Sequence, residues 1–220
     1  MLKPLFIYVH GFNSSPQSYK ARLLVDWLKQ QGREDEVKVP ELSHWPKRAI
    51  ETLEALIERH RDRRILLLGS SLGGFYSTYL VEKFASINQQ TITEGNACTG
   101  LDLKCVLINP AVRPDQLLEE LLGENQNLYS QERYQLTHQH LEQLQQLRSE
   151  SIQDRSRYLL LTQTADEVLD YRQAVELYDG AEMIVQEGGS HGFDDFESML
   201  PLIEQFAQQP WSGEGHDRPC

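Results

Sequence analysis

Hydrophobic positions along this chain follow two alternating patterns, short continuous apolar runs and longer stretches with helical spacing. The short runs predict strands and the longer stretches predict helices. The first predicted helix has Ser15 as its N-cap. Because strands that are apolar throughout are buried on both faces, the pattern predicts an α/β fold. We expect a doubly wound, mostly parallel six-stranded sheet with helices on both faces. The predicted strands are Leu5–Val9, 36–40, 64–69, 104–109, Tyr158–Gln163 and 182–187, and the predicted helices are 16–31, 46–61, 72–87, 170–179 and 195–208.

Two segments interrupt this alternation. Residues 88–102 are polar and predict a surface loop. Residues 112–156 carry two groups of leucines at helical spacing, which predicts a small helical cap over the carboxyl end of the sheet, with ordinary crossover helices as the alternative. We therefore expect one α/β domain over residues 1–209 and a disordered tail over residues 210–220. The two groups are Leu117, Leu118, Leu121 and Leu122, and then Leu141, Leu144 and Leu147.

Composition narrows the possible partners. The chain has 220 residues, with 21 Lys and Arg against 33 Asp and Glu, a formal charge of -12 and a pI near 5.0. This charge opposes binding to nucleic acid and to anionic membrane surfaces. No run reaches the roughly 18 apolar residues of a membrane helix, and the amino terminus has no signal-peptide cleavage pattern. The three cysteines, Cys98, Cys105 and Cys220, suit a reducing compartment, so we expect a cytoplasmic protein.

The junction of the third strand and the third helix carries a possible nucleophile. Residues 66–84 read LLLGSSLGGFYSTYLVEKF, and Gly69 to Gly73 match G-x-S-x-G with Ser71 at the centre. In this motif the serine lies in a strained turn, and the glycines allow neighbouring backbone to approach it closely. Ser70 is a competing candidate, but it lacks glycines two positions away on either side. The strand before the motif and the helix after it favour Ser71 as the nucleophile.

A serine hydroxyl needs a base and a group that orients the base. His191 follows the last strand by four residues, on a glycine-flanked loop, and Asp166 follows the preceding strand by three. The order Ser71, Asp166, His191 is the chain order of α/β-hydrolases. We predict that these three residues form a catalytic triad. The rival carboxylates are Glu167, Asp170, Asp194 and Asp195.

An oxyanion formed at Ser71 would need two hydrogen-bond donors. The N–H of Leu72, next to the nucleophile, is one expected donor, and the N–H of Phe12 in the loop after the first strand is the other. His10 is expected to brace this loop. The pair His138 and His140 points to different sides of a helix and predicts a solvated cap surface, so we expect no metal site there.

Five segments in order resemble the YqiA-like esterases, a bacterial family of small α/β-hydrolases. The resemblance covers about residues 5–206 and implies hydrolysis of carboxylic esters, with thioesters as a second class, without a cofactor. It also implies Ser71 as nucleophile, Asp166 as acid and His191 as base. Ala165 and Ser190 differ from the family's usual Gly and Asn. The segments are YVHGFNSSPQSYKA, LLLGSSLGGFYSTYL, INPAVRPDQLLEELLGENQNLYS, TQTADEVLDYRQAVELY and EGGSHGF.

The leading hypothesis is a serine hydrolase that takes a small-molecule acyl ester or thioester through an acyl-enzyme. An acyltransferase, an amidase or a cofactor-free oxidase could use the same triad, and a catalytically silent protein of this fold could act by binding alone. The sequence leaves the acyl chain length, the leaving group, the substrate-binding residues, the role of Arg113 and the oligomeric state open.

Overall fold

The computed structural model describes residues 4–93 and 101–211, without the side chains of residues 89–93. The strands are β1 (Leu5–Val9), β2 (Val37–Lys38), β3 (Ile65–Ser70), β4 (Leu103–Ile108), β5 (Gly123–Gln126), β6 (Arg133–Leu136), β7 (Tyr158–Gln163) and β8 (Glu182–Gln186). The helices are α1 (Tyr19–Gln30), α2 (Pro46–Arg59), α3 (Leu72–Thr93), α4 (Pro114–Glu119), α5 (His138–Gln146), α6 (Tyr171–Leu177) and α7 (Leu200–Gln208).

Six strands form one parallel sheet in the order β2-β1-β3-β4-β7-β8. Every residue of β1, β3, β4 and β7 is buried, which explains why these runs are mostly apolar. The carboxyl ends of β3, β4, β7 and β8 lie at one edge, with Ser70 paired to Ile108 and Gln163 to Gln186. The predicted six-stranded, doubly wound fold is confirmed.

Alternate side chains of the strands enter two separate cores. On one face, Leu67 and Leu160 pack with residues of α2, α3 and the cap, such as Leu53. On the other face, Leu68 packs with residues of α1 and α7, such as Leu24. Burial of apolar area at about 25 cal/mol per Å² on both faces is the main force that holds the helices against the sheet.

The ends of two helices differ from the prediction. α1 begins at Tyr19 and has Ser18 as its N-cap position, because Ser15 and the residues after it form a turn in which the Ser15 hydroxyl accepts the N–H of Gln17 at 3.0 Å. α3 continues to Thr93, past the predicted end at residue 87. The first part of the predicted surface loop is therefore helical, and residues 94–100 lie outside the described residues.

The cap contains two helices, α4 and α5, but the sequence analysis did not predict the strands that lie between them. Between α4 and α5 the chain forms an antiparallel hairpin, β5 and β6, with Gly123 at its start in a left-handed conformation, φ 114°. A helix cannot continue through this conformation, so the leucine spacing ends there. The second group of leucines does lie on α5 and in its C-cap, with Leu141 and Leu144 buried.

The predicted disordered tail begins too early. Trp211 is buried, and its indole N–H donates to the carbonyl of Ala207 at 3.0 Å. The ammonium of Lys104 lies over the rings of Phe206 and Trp211, 4.7 and 5.2 Å from their centroids. These contacts make Trp211 part of the core, and residues 212–220 lie outside the described residues.

Cys105 is fully buried in β4, as expected of a small apolar side chain. Cys98 and Cys220 lie outside the described residues. Within the described ranges, no helix combines the length and the apolar character needed to cross a membrane.

Candidate active site

Ser71 occupies the turn between β3 and α3 in a strained left-handed conformation, φ 54°. Its N–H donates to the carbonyl of Ile108 at 3.1 Å, and its carbonyl accepts the N–H groups of Gly74 at 2.9 Å and Ala111 at 3.1 Å. These bonds fasten the turn to the end of β4. Ser70, the competing candidate, is buried, with 7 % of the residue exposed.

Glycine is required beside the serine because other backbone passes very close. A Cβ on Gly73 would overlap the carbonyl oxygen of Val9 in β1, and a Cβ on Gly69 would overlap the carbonyl of Gly73. Both positions therefore need glycine for close packing. The G-x-S-x-G pattern thus has the strand-turn-helix context that the sequence predicted.

Ser71, His191 and Asp166 lie in one hydrogen-bonded row. The Ser71 hydroxyl lies 3.1 Å from Nε2 of His191, and Nδ1 of His191 lies 2.9 and 3.0 Å from the two oxygens of Asp166. Because an ionised carboxylate only accepts, Nδ1 carries the proton and Nε2 is left as an acceptor for the serine. The three residues predicted from separate motifs are brought together in this structure.

The Asp166 carboxylate is almost enclosed, with 2 % of its side chain exposed. Burial acts to raise its pKa, but the hydrogen bonds from His191 and from the N–H groups of Leu169 and Val168 outweigh this, and the pKa lies below its usual value. The group is therefore ionised at neutral pH and can hold the imidazole in one tautomer.

The rival carboxylates have other contacts. Glu167 accepts the backbone N–H of His191 at 2.9 Å. Asp170 is the N-cap of α6 and pairs with Arg172. Asp194 accepts the hydroxyl of Ser190 at 2.6 Å. The side chain that meets the His191 ring is Asp166, as predicted.

Two buried amides, which the sequence analysis did not single out, hold the loop that carries His191. Asn109, directly after β4, donates to the carbonyls of Ser190 at 2.9 Å and His191 at 3.2 Å. Gln163, at the end of β7, accepts the N–H groups of Ser190 at 3.1 Å and Asp194 at 2.8 Å. Asn109 also accepts the N–H of Gln163 at 3.0 Å. The only signal in the sequence is a polar residue closing an otherwise apolar strand.

The loop after β1 lies directly against Ser71. A Cβ on Gly11 would lie 3.2 Å from the Cβ of Ser71. Neither the N–H of Phe12 nor that of Leu72 has a hydrogen-bond partner among the residues that the structure describes. His10 braces the loop as predicted, since its Nε2 accepts the N–H of Leu42 at 3.2 Å. Burial lowers the pKa of His10, which keeps the ring neutral for this bond.

A cavity of about 470 Å³ opens over Ser71 and His191. It is mostly apolar, and α4 of the cap forms one wall, which places the cap over the carboxyl end of the sheet. Glu120 and Glu167 are the acidic residues in its lining. The apolar wall includes Phe12, Leu72, Ala111, Leu117, Leu118 and Leu121.

Arg113 does not line this cavity. It precedes α4, with its Nε 3.6 Å from an oxygen of Asp115, and it lines a second cleft of about 580 Å³. These contacts favour a structural arginine paired with an acid of the cap over a contact with a substrate at Ser71.

The two histidines at the start of α5 differ from the prediction of a solvated surface. His138 is exposed, but His140 is fully buried. Its ring stacks on Trp45 at a centroid distance of 3.7 Å, and its Nε2 lies 3.1 Å from Nδ1 of His44. Within residues 4–93 and 101–211, no group of three or more His, Cys, Asp or Glu side chains is arranged to hold a metal ion.

Solved structures with the same architecture define the class of this protein. A protein from Agrobacterium vitis S4 described as a candidate hydrolase matches with a TM-score of 0.69 at 19 % identity, over 91 % of this chain and 88 % of its own. Mouse alpha/beta hydrolase domain-containing protein 10 has a TM-score of 0.59 at 14 % identity, over 93 % and 88 %. The esterase domain of a Rhodothermus marinus protein has a TM-score of 0.59 at 14 % identity, over 93 % and 86 %. The chain therefore has the α/β-hydrolase fold.

The family follows from the sequence. The profile of the uncharacterised protein family UPF0227 matches residues 5–208, so the chain belongs to this family. UPF0227 is the YqiA family, and the resemblance described above is confirmed.

Proposed function

We propose that this protein is a serine hydrolase of carboxylic esters, with Ser71 as nucleophile, His191 as general base and acid, and Asp166 as the group that orients the imidazole. The observation that carries the proposal is the 3.1 Å contact between the Ser71 hydroxyl and His191 Nε2, with both oxygens of Asp166 on the other ring nitrogen. A serine that is hydrogen-bonded to a histidine, itself held by a carboxylate, can lose its proton as it attacks an acyl carbon.

During acylation one proton moves twice, first from Ser71 to His191 and then from His191 to the leaving oxygen. The Ser71 oxygen bonds to the ester carbonyl carbon while His191 Nε2 takes the hydroxyl proton, and the carbonyl electron pair moves onto oxygen. When the tetrahedral intermediate collapses, the C–O bond to the alcohol breaks and His191 protonates the leaving oxygen. Asp166 stays ionised throughout and stabilises the imidazolium. The product of this half-reaction is the acyl ester of Ser71.

Deacylation repeats the sequence with water as the nucleophile. His191 takes a proton from a water molecule, the hydroxide bonds to the acyl carbon, and the bond to Ser71 breaks as His191 returns the proton to the serine oxygen. The acid is released, and the enzyme returns to its starting state.

The N–H groups of Phe12 and Leu72, which have no partner among the described residues, are the proposed donors to the oxyanion in both half-reactions. They belong to two different segments that line the cavity together with Ser71 and His191. A donor of this kind is typically worth about 100-fold to 1000-fold in rate.

The cavity favours a substrate with an apolar portion. Leucines of the cap and Val168 line it, and its volume of about 470 Å³ is within the usual range for a small-molecule site. The hydrolase and esterase names of the structural neighbours agree with this class of reaction. A thioester could acylate Ser71 in the same way, because the carbonyl carbon and the oxyanion occupy the same positions.

The test is covalent labelling followed by turnover. A fluorophosphonate reacts with a serine that has a working base, and peptide mapping should place a single adduct on Ser71. Ser71→Ala should lose both the adduct and the hydrolysis of p-nitrophenyl esters. Ser70→Ala is the matched control and should retain both.

Substrate class is then resolved by comparing an ester, a thioester and an amide that share one acyl group. The proposal expects the ester to turn over fastest, with a burst of alcohol release if deacylation is slow. Folded wild-type protein that gives no adduct and no turnover would refute the proposed function.

A further inference from the structure

The hairpin of the cap is bonded directly to the loop that presents Phe12. The hydroxyl of Tyr134 in β6 donates to the Asn13 side-chain oxygen at 2.7 Å. The N–H of Leu128 donates to the carbonyl of Asn13 at 3.1 Å, and the side-chain amide of Asn127 donates to the carbonyl of Ser14 at 2.9 Å. A fourth, longer bond runs from the Asn13 side-chain amide to the Asn125 side-chain oxygen in β5 at 3.5 Å. Four bonds therefore join the hairpin to the two residues that follow Phe12.

Asn13 is a strained position, with φ 51°, so its conformation depends on what surrounds it. Asn13 and Ser14 directly follow Phe12, so bonds that hold these two residues limit how far the Gly11–Phe12 peptide, which carries the Phe12 N–H, can move relative to Ser71. The contacts from the hairpin act on the side chain and the carbonyl of Asn13. They can therefore set the position of a proposed oxyanion donor from outside the sheet.

The hairpin side chains that make these contacts are themselves fixed. The Tyr134 ring stacks on His44, with centroids 4.1 Å apart and planes 19° from parallel. His44 in turn bonds to the buried His140 of α5. The Asn127 side-chain oxygen accepts the N–H groups of Tyr129 at 2.8 Å and Ser130 at 3.0 Å, which orients its amide toward Ser14.

We propose that Tyr134 and Asn127 are positioning residues that hold the Phe12 N–H in the oxyanion hole, so that the cap hairpin contributes to the rate of reaction and not only to substrate binding. This inference rests on the proposed function. A misplacement of about 1 Å can cost about 100-fold in rate, and loss of one of the four bonds should displace the loop by less. We expect each variant below to lower kcat by about 10-fold.

Two conservative variants test the proposal. Tyr134→Phe removes the hydroxyl and keeps the ring stacked on His44. Asn127→Asp keeps the oxygen that accepts Tyr129 and Ser130 and removes the donor to Ser14. Tyr129→Phe is the matched control, because it removes an exposed hydroxyl from the same hairpin that has no hydrogen-bond partner among the described residues.

Three readouts separate positioning from loss of fold. The kcat for a p-nitrophenyl ester should fall about 10-fold while KM stays within about twofold. An alkyl trifluoromethyl ketone adds to the Ser71 oxygen and places an alkoxide where the oxyanion forms, so its Ki should rise by the same factor as kcat falls. Amide hydrogen exchange should accelerate in the peptide spanning residues 11–14 and stay unchanged in the peptide spanning residues 71–74.

The outcomes distinguish this inference from the proposed function. If wild-type protein is active and labelled at Ser71, but the variants keep kcat, Ki or the exchange rate of residues 11–14 at wild-type values, the positioning role is wrong and the function stands. If wild-type protein neither turns over esters nor takes the fluorophosphonate, the proposed function fails, and the inference fails with it. If Tyr129→Phe matches the other two variants, the effect belongs to the hairpin as a whole and the inference is wrong.

Discussion

Replacement of Gln163 by alanine would remove the main support of the loop that carries His191. The side chain makes four hydrogen bonds: it accepts from Ser190 and Asp194, and it donates to the side chain of Gln186 at 2.8 Å and the carbonyl of Asp194 at 2.9 Å. Gln163 is 3 % exposed, so little water reaches these groups. Gly189 packs directly on its amide, and a Cβ there would overlap it.

The expected loss in the free energy of unfolding follows from the polar groups that the substitution leaves without hydrogen-bond partners. Alanine at residue 163 would leave two N–H donors and one carbonyl of the loop unsatisfied, and each such group costs about 1–3 kcal/mol when it is buried. Because the loop is partly exposed, water can satisfy some of them, and we take the lower end for each. Gln163→Ala should lower the free energy of unfolding by about 3 kcal/mol. Displacement of His191 should also lower kcat by about 100-fold.

Urea unfolding and steady-state kinetics on three variants measure this. Gln186→Ala loses only one of the four bonds and should cost about 1 kcal/mol or less. Gln163→Glu keeps an acceptor for Ser190 and Asp194 and loses both donors, so its loss should lie between those of the other two. A Gln163→Ala protein that loses less than about 1 kcal/mol and keeps its kcat would refute the reasoning.

Three further changes have defined outcomes. Asp166→Asn should lower kcat by about 10,000-fold, since an amide can favour the wrong tautomer of His191; a fall of less than about tenfold in steady-state assays would contradict the assignment. Burial lowers the pKa of Lys20 to about 8, so between pH 8 and the unfolded value near 10.4 the unfolded state binds more protons and stability rises with pH. Lys20→Met should flatten this rise by about 1 kcal/mol per pH unit in urea titrations, and an unchanged slope would exclude a lowered pKa. Gly73→Ala should cost about 3 kcal/mol or prevent folding, because its Cβ meets the Val9 carbonyl, and an unchanged Tm would contradict this.

The positions of the strands along the chain and the strand-turn-helix context of Ser71 could be predicted because both depend on local features. An apolar run such as Leu5–Val9 is buried on both faces, and the glycines around Ser71 are needed by backbone that lies next to them. Asp166 and His191 follow from the same logic, because parallel strands end at one edge and place the residues after them close together. Their contact with each other is the part that needed the structure.

The hairpin of the cap could not be predicted because its sequence has no strand pattern, and its contacts with the rest of the chain are distant in sequence. Its residues are polar and lack the β-branched side chains that favour strands. Tyr134 gains its role from Asn13, which lies 121 residues away, and from stacking on His44. His140 was expected at the surface for the same reason, since Trp45 and His44 cover it from another part of the chain.

The roles of Asn109 and Gln163 could not be predicted for a different reason. A polar residue at the end of an apolar strand is the ordinary pattern of a strand that leaves the core, and periodicity assigns it to a turn. Here the two side chains stay buried, at 2 % and 3 % exposure, and point along the sheet edge to the next loop. Their burial is stable only because each polar atom has a hydrogen-bond partner. The His191 loop supplies partners to both side chains, and the Asn109 oxygen accepts the N–H of Gln163.

The parts of the candidate site are thus held in different ways, and this bears on how the site can vary. The position of Ser71 is fixed by the turn between two consecutive elements, so any change there acts on the core as well. The loops of Phe12 and His191 are held by side chains from the hairpin and from the ends of β4 and β7. Substitutions in those supports can move the oxyanion donor or the base without disturbing the nucleophile. Since a serine, its base and its oxyanion donors act as one unit, such supports should affect the rate far more than substrate affinity.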